Sequence, residues 1–431
     1  MSTNGAYLNL ANDAHLPQRD LLLDTGEVAR RLSSRLGTTG PLVIDSCERL
    51  RAKYRVGDSL RVLYRIRVRD RHHIVAARAF GEGQSKQAYE RATRAAVESH
   101  SLRPVAHDAA LETVFWTFPN DRRITGLRAL SNIPAELAQL FTPSWTRSRV
   151  VAYAPEKCAT AQCLDDKSRV LAYAKVYATD DGRRIFDVYN ALRRTRASAA
   201  SSVRLPRALA YGEAERMLLL EAVEGTRIDE LHDDDLLQGY RRLGLALAAL
   251  HNLPAPGGVP PFKRLDLKRI RRAARIVGQA RPDVHSEARE LANELASRRE
   301  PSSFPAVCLH GDVHPKNGIL QSDHLTLIDL DQAAAGDAAA DLGSLLASLA
   351  YNRCAALLSQ PRADALGLAF LDGYATLRPL PGNASLRWHT AAALLAERSL
   401  RAVNRIRPEG LLCLRELLTE AKDILRTGGE R

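Results

Sequence analysis

His310-Gly311-Asp312-Val313-His314-Pro315-Lys316-Asn317, followed by the apolar run Leu325-Thr326-Leu327-Ile328-Asp329, decides how this chain is read. It places one Asp, an Asn in the same loop, and a second Asp at the end of a β-type run. Asp, Gly and Asn also serve as plain turn formers. The trio does more than a turn requires. One carboxylate can steer a hydroxyl while an amide and a second carboxylate hold magnesium on a nucleotide. Phosphoryl transfer needs positioning, charge neutralisation and a base, and these residue types supply all three.

Further on, Gly336-Asp337-Ala338-Ala339-Ala340-Asp341-Leu342-Gly343 opens a helix-like segment. The ordered set resembles the aminoglycoside phosphotransferase and choline kinase family, the small-molecule branch of the protein-kinase fold. The resemblance implies an α+β, protein-kinase-like bilobal fold, with a small antiparallel-sheet N-lobe and a mostly helical C-lobe. It implies Asp312 as catalytic base, and Asn317 and Asp329 as magnesium ligands. His310 would pack and hydrogen-bond to hold the loop, and Asp341 would cap a helix or tie down the loop backbone. His314 stays open between loop scaffold and substrate-side contact. Two departures stand out: Asp329 is followed by Leu330-Asp331 where protein kinases have Phe-Gly, and Ala338 replaces the family's Pro.

Upstream lies an internal repeat. The alternating block from Arg51-Ala52-Lys53-Tyr54-Arg55-Val56-Gly57 to His73-Ile74-Val75-Ala76-Ala77-Arg78-Ala79-Phe80 recurs about a hundred residues later. The second block runs from Val150-Val151-Ala152-Tyr153-Ala154-Pro155 to Arg169-Val170-Leu171-Ala172-Tyr173-Ala174-Lys175-Val176-Tyr177. A helix-like segment follows each, at 87–98 and 182–195, and then an apolar strand, Thr113-Val114-Phe115-Trp116-Thr117-Phe118 or Met217-Leu218-Leu219-Leu220-Glu221. Strands, helix, strands and connector are what the kinase resemblance expects of an N-lobe, so the extra N-terminal domain reads as a duplicated N-lobe. The expected organisation is a lead over 1–40, the extra N-lobe-like domain over 41–140, the kinase N-lobe over 141–225 and the helical catalytic C-lobe over 226–431.

Only the second copy carries Lys at the third strand. Lys175 resembles the kinase lysine that contacts nucleotide phosphates, whereas the first copy has Arg78, whose planar fork is not equivalent. Asp187 is the candidate partner of Lys175, or else a solvated surface acid; Glu90 occupies the corresponding place in the first copy. The connector Glu221-Ala222-Val223-Glu224-Gly225 fits the family's hinge, and the backbone of Glu221 and Val223 would hold the base of ATP or GTP. The turn Ala154-Pro155-Glu156-Lys157-Cys158-Ala159-Thr160 has no glycine, so tight-turn amides would have to cover the phosphates.

Composition sets the frame. A chain of 431 residues with 45% hydrophobic and 26% charged residues is a globular protein with room for two or three cores. The start, Met1-Ser2-Thr3-Asn4-Gly5-Ala6-Tyr7, lacks a basic region followed by an apolar core, and no apolar stretch approaches the roughly 20 residues of a membrane span. Six cysteines lie scattered without metal or disulfide spacing, which fits a cytoplasmic protein with reduced thiols. Of the net charge of +12, only +2 falls from Arg227 onward, where 27 Lys and Arg face 25 Asp and Glu. Arg61, Arg65, Arg67 and Arg69 alternate beside Tyr64 and read as a solvated strand face; interleaved aromatics, the mark of nucleic-acid binding, are otherwise missing there.

From Asp233 onward helical periodicity dominates, with segments at 236–250, 286–299, 342–358, 363–374, 386–405 and 411–425. The acids Asp233, Asp234 and Asp235 suit either a cationic ligand or a helix N-terminus. The basic segment 264–275 is open between a substrate entrance and a solvated face. Trp388, His389, Glu397 and Arg401 are open between acceptor contacts and packing or surface. The expected reaction moves a γ-phosphoryl group from ATP or GTP, with Mg2+, to a hydroxyl of a sugar, aminoglycoside, amino alcohol or related metabolite. The competing reading is a non-catalytic kinase-fold module that binds nucleotide or a partner. Oligomeric state is not encoded in any of these features.

Overall fold

The computed structural model describes residues 9–98, 102–199, 203–300, 305–322 and 324–427. Residues 1–8, on which the reading of the N-terminus rested, lie outside them. The chain divides into two compact units: Met1–Arg183 with Leu209–Glu221 and Asn404–Ile406, and Arg184–Ala208 with Ala222–Val403 and Arg407–Arg431.

The first unit opens with α1 (Arg19–Leu23) and α2 (Thr25–Leu36). The lead was expected to hold one helix near 27–36; α1 is an addition, and both pack on the strands that follow. Asp24 caps α2 through the Gly26 and Glu27 N–H groups. Arg31 and Arg35 of α2 reach the fully buried Asp108 at 2.9 and 3.2 Å. Strands β1 (Ser46–Arg55), β2 (Ser59–Val68), β3 (Arg71–Ala79), β4 (Val105–Asp108) and β5 (Thr113–Thr117) form an antiparallel sheet of order β1-β2-β3-β5-β4, with α3 (Ser85–Ala95) between β3 and β4.

After the short α4 (Ala135–Ala138) the pattern repeats. Strands β6 (Arg147–Ala154), β7 (Cys158–Leu164), β8 (Val170–Tyr177), β9 (Ala208–Gly212) and β10 (Met217–Glu221) form a second sheet of order β6-β7-β8-β10-β9, with α5 (Asp181–Ala199) between β8 and β9. Strand order and helix position match the first sheet, so the extra domain does resemble a duplicated N-lobe.

Period-2 alternation makes the two sheets one body. Leu63 and Ala76 of the first sheet share a single core with Ala159, Ala161, Cys163, Ala172, Ala174 and Val176 of the second. Leu127, Leu130 and Trp145 of the connecting segment fill it. The basic face of β2 is only partly solvated. Arg65 and Arg67 are half exposed, but the Arg61 side chain is 13% exposed and faces Glu156, so its placement on a solvated face is corrected.

The second unit is mostly helical: α6 (Asp233–His251), α7 (Leu267–Ala280), α8 (His285–Ser297), α9 (Ala339–Cys354), α10 (Gln360–Ala375), α11 (Asn383–Ala393), α12 (Leu400–Arg405), α13 (Pro408–Leu412) and α14 (Leu414–Arg426). The expected continuous helix over 386–405 is interrupted by a π-helical stretch, Leu394–Ser399. Helices α6 and α10 touch backbone to backbone: a Cβ on Gly244 would lie 2.0 Å from the Phe370 carbonyl oxygen, and one on Gly373 would lie 1.9 Å from that of Arg241. Short strands β11 (Thr226–Arg227), β12 (Val307–Leu309), β13 (Gly318–Gln321), β14 (His324–Leu327) and β15 (Ala334–Gly336) pair as β11-β13-β14 and β12-β15. Pairing β13 to β14 and β12 to β15 sets the loop 310–317 beside the segment 328–333. No helix among the described residues is long and apolar enough to cross a membrane.

Candidate active site

The loop 310–317 is held from below by one buried acid. Asp341, in the first turn of α9, accepts the His310 N–H at 2.7 Å on Oδ2 and the Gly311 N–H at 2.9 Å on Oδ1. Of the two duties foreseen for it, this is the loop tie; Asp337 receives the Ala339 N–H at the helix start instead. His251, at the end of α6, donates from Nε2 to Asp341 at 3.2 Å, and its Nδ1 meets the Tyr374 hydroxyl at 2.9 Å. All three residues are buried, so the chain of bonds fixes the Asp341 carboxylate against the loop.

Above that base the loop folds on itself. His310 Nε2 faces the Ile328 carbonyl at 2.9 Å and so carries the ring proton, leaving Nδ1 to accept from the Asp312 N–H at 3.4 Å. Gly311 adopts φ +77°, and a Cβ there would lie 2.0 Å from the Gln332 carbonyl oxygen. The Gly of His-Gly-Asp is therefore a steric requirement. Asn317 donates its amide to the Asp312 carbonyl at 2.9 Å, which turns its amide oxygen away as a free acceptor. Asp329 follows β14 in the left-handed region at φ +66°. The next residue, Leu330, donates its N–H to the Tyr189 hydroxyl at 3.3 Å.

Asp312 has an unusual electrostatic setting. Burial alone would raise its carboxyl, but Arg401, Arg264 and Lys316 outweigh burial and hold it below the ordinary carboxylate range. Arg401 Nη2 stands 3.9 Å from Asp312 Oδ1. The Asp312 side chain remains 30% exposed. His314 caps the turn Pro315–Asn317 by accepting the Lys316 N–H at 3.3 Å. Burial, then Lys316 and Arg398, push its ring down to about 4, so it is neutral near pH 7.

The π-helical stretch supplies Glu397, which sequence reasoning left open, and Arg398, which it did not name. Glu397 pairs with Arg264 at 2.8 Å and accepts from the Ser344 hydroxyl at 2.7 Å. Arg264 also donates to the Gly311 carbonyl, so the π-helix and the loop share one cation. Arg398 donates to the Ser344 carbonyl at 2.7 Å, and burial, then Arg401, lowers its guanidinium to about 10. Of the four late-helix residues left open, Glu397 and Arg401 come to the loop. Trp388 packs, donating to the Leu295 carbonyl at 2.8 Å, and His389 bonds within its own helix to the Ser385 carbonyl at 2.9 Å. Asp233, Asp234 and Asp235 form the first turn of α6.

The nucleotide-side residues fall as follows. Lys175 is buried on β8, its Nζ 5.9 Å from the Tyr177 ring centre. Glu221 closes β10, Val223 lies in the connector before β11, and Asp187 is on α5. Lys175 and Glu221 belong to the first unit, and Asp187 and Val223 to the second.

The sequence profile described as the phosphotransferase enzyme family matches residues 78–389. Streptomycin 3''-kinase of Streptomyces griseus is 32% identical over 188 residues, 39% of this chain. The chain spans 66% of that relative's length, just under two thirds. Among solved structures, a thermostable mutant of aminoglycoside phosphotransferase APH(4)-Ia superposes with a TM-score of 0.50 at 16% identity, over 68% of this chain and 100% of that one. ADP-bound aminoglycoside phosphotransferase APH(2'')-Ib gives a TM-score of 0.46 at 14% identity, over 68% of this chain and 99% of that one. At such identity the APH(4)-Ia likeness speaks for the fold alone.

Proposed function

Because the chain belongs to the phosphotransferase enzyme family, we propose that it moves the γ-phosphoryl group of ATP or GTP to a hydroxyl of a small molecule. The carrying observation is Asp312: an ionised, partly exposed carboxylate on a loop whose backbone is tied at 310, 311 and 312. In this reading Asp312 orients the acceptor hydroxyl and takes its proton. Lys175 fixes the nucleotide phosphates with Asp187 as its orienting acid, and the backbone of Glu221 and Val223 holds the base.

Asn317 and Asp329 are the proposed magnesium ligands. One amide oxygen and one carboxylate suit a hard cation that completes its shell with water and phosphate oxygens. No group of three or more His, Cys, Asp or Glu that would cage a metal occurs among the described residues. Bound there, magnesium supplies charge neutralisation on the phosphates.

For the acceptor, the relative's name makes streptomycin the first compound to test, followed by other aminoglycosides, sugars and amino alcohols. Arg401 adds a condition. A cationic group brought beside Asp312 would compete with a guanidinium already 3.9 Å away, so the reacting hydroxyl should sit on an uncharged part of the acceptor.

Replacing Asp312 by Asn should lower turnover by about 10²–10⁴-fold while leaving nucleotide affinity intact. Full activity in that variant with the true acceptor would remove Asp312 as base. A thermal-shift comparison of ATP with and without magnesium, joined to ADP detection across the acceptor panel, separates transfer from binding alone.

A further inference from the structure

In the first sheet, Arg78 stands where Lys175 stands in the second. Arg78 pairs with the third residue of β2 and the second of β5; Lys175 pairs with the third residue of β7 and the second of β10. What lies against Arg78 is part of the protein itself. Glu156, at the middle of the three-residue β6–β7 turn, accepts from Arg78 Nη1 at 2.7 Å. It also takes a two-pronged contact from Arg122, Nε at 2.7 Å and Nη2 at 2.9 Å, and stands 3.4 Å from Arg61 Nη1. Its side chain is 4% exposed. A guanidinium fork binds a carboxylate with the same planar geometry it offers a phosphate.

The backbone of the turn is gripped as well. Arg61 donates to the Pro155 carbonyl at 3.1 Å, and the Glu156 N–H donates to Asp121 at 3.0 Å. The same Asp121 oxygen accepts the Tyr153 hydroxyl at 2.6 Å. Glu156 is held at φ +62°, a conformation unfavourable without glycine; the matching middle residue of the β1–β2 turn is Gly57 at φ +70°. Apart from the Ala178 N–H, which donates to the Lys157 carbonyl at 2.9 Å, the groups named here that hold the β6–β7 turn come from residues 61 to 122 or from the adjoining β6.

We propose that the first repeat is a clamp on the β6–β7 turn, with Glu156 as a positioning residue that sets this turn over the nucleotide phosphates in place of a glycine-rich loop. The proposal rests on the reading that the second sheet binds the nucleotide. The fixed turn answers the missing glycines in another way: Pro155 has no N–H, the Glu156 N–H is spent on Asp121 and the Lys157 N–H on the Ala154 carbonyl at 3.0 Å, so the turn would cover the phosphates as a rigid wall and needs no flexible loop. Three arginines converge on one nearly buried carboxylate, so loss of the acid leaves the cations facing one another.

The test uses the full chain and two variants, Glu156→Gln and the milder Arg122→Gln, whose side chain is 35% exposed in the wild type. The readouts are kcat, the KM values for ATP and acceptor, and amide exchange of residues 155–158. The expected result is faster exchange in the turn and an ATP KM raised about tenfold, with kcat and the acceptor KM within about twofold. Arg122→Lys should restore part of the ATP KM. Faster exchange in either variant with an unchanged ATP KM would overturn the clamp as a determinant of nucleotide binding. A wild-type chain that neither binds ATP nor turns over would instead remove the phosphotransferase reading on which the clamp depends.

Discussion

In the proposed reaction Asp312 can act as a base only while ionised, and the cations around it decide where that ends. Burial raises its carboxyl; Arg401 leads the groups that bring it below the ordinary range. A depressed carboxyl stays ionised further into acid, so the acid limb of kcat/KM should lie below the usual carboxylate range. Replacing Arg401 by Ala removes the leading attraction and leaves burial less opposed. The acid limb should then move to higher pH, while activity at pH 8 changes less. A pH–rate profile of the variant checks this, and an unmoved or lowered limb would contradict it. Gly311 and Asp341 belong to the same scale: one admits the Gln332 carbonyl, the other receives two loop amides.

Among elements, the α6–α10 pair constrains the site, because His251 of α6 and Tyr374 of α10 support Asp341 together. Gly373 lets the helices meet, and an alanine there would place its Cβ against the Arg241 carbonyl. Gly373→Ala should destabilise the protein by about 1–3 kcal/mol, read as a lower urea midpoint with an unchanged slope. Much of the loop was legible in sequence because its chemistry is contiguous: His310, Asp312 and Asn317 lie within eight residues, and β14 announces Asp329 by its apolar run. The helices α6, α8, α9 and α10 followed from apolar periodicity. What could not be read was long-range pairing. Arg264 meets Gly311 across 47 residues, His251 meets Asp341 across 90 and Tyr374 across 123, and no local pattern encodes such separations. The π-helical stretch was equally hidden, since six residues are too few to display a period of their own, yet it brings Glu397 and Arg398 to Ser344.

At the scale of the molecule, the two sheets of the first unit share one core, so neither should unfold alone. Leu127, fully buried between them, tests this. Leu127→Ala should cost about 2–5 kcal/mol and shift the unfolding of both sheets together. Amide exchange in β2 and in β8 would rise in parallel; a rise confined to one sheet would show two separate cores. Net charge of +10 before residue 227 finds part of its explanation here as well, since Arg61, Arg78 and Arg122 converge on one acid inside the fold. The shared core has a consequence for synthesis. Leu63 and Ala76 leave the ribosome with the first sheet, which is complete at Thr117, while their cover ends at Tyr177. At 5–20 residues per second, the intervening stretch of about 60 residues leaves that apolar face bare for about 3–12 s. During that interval the nascent chain presents a sticky half-core, and a chaperone that binds apolar β-sheet faces should be met by this protein before its second sheet is made.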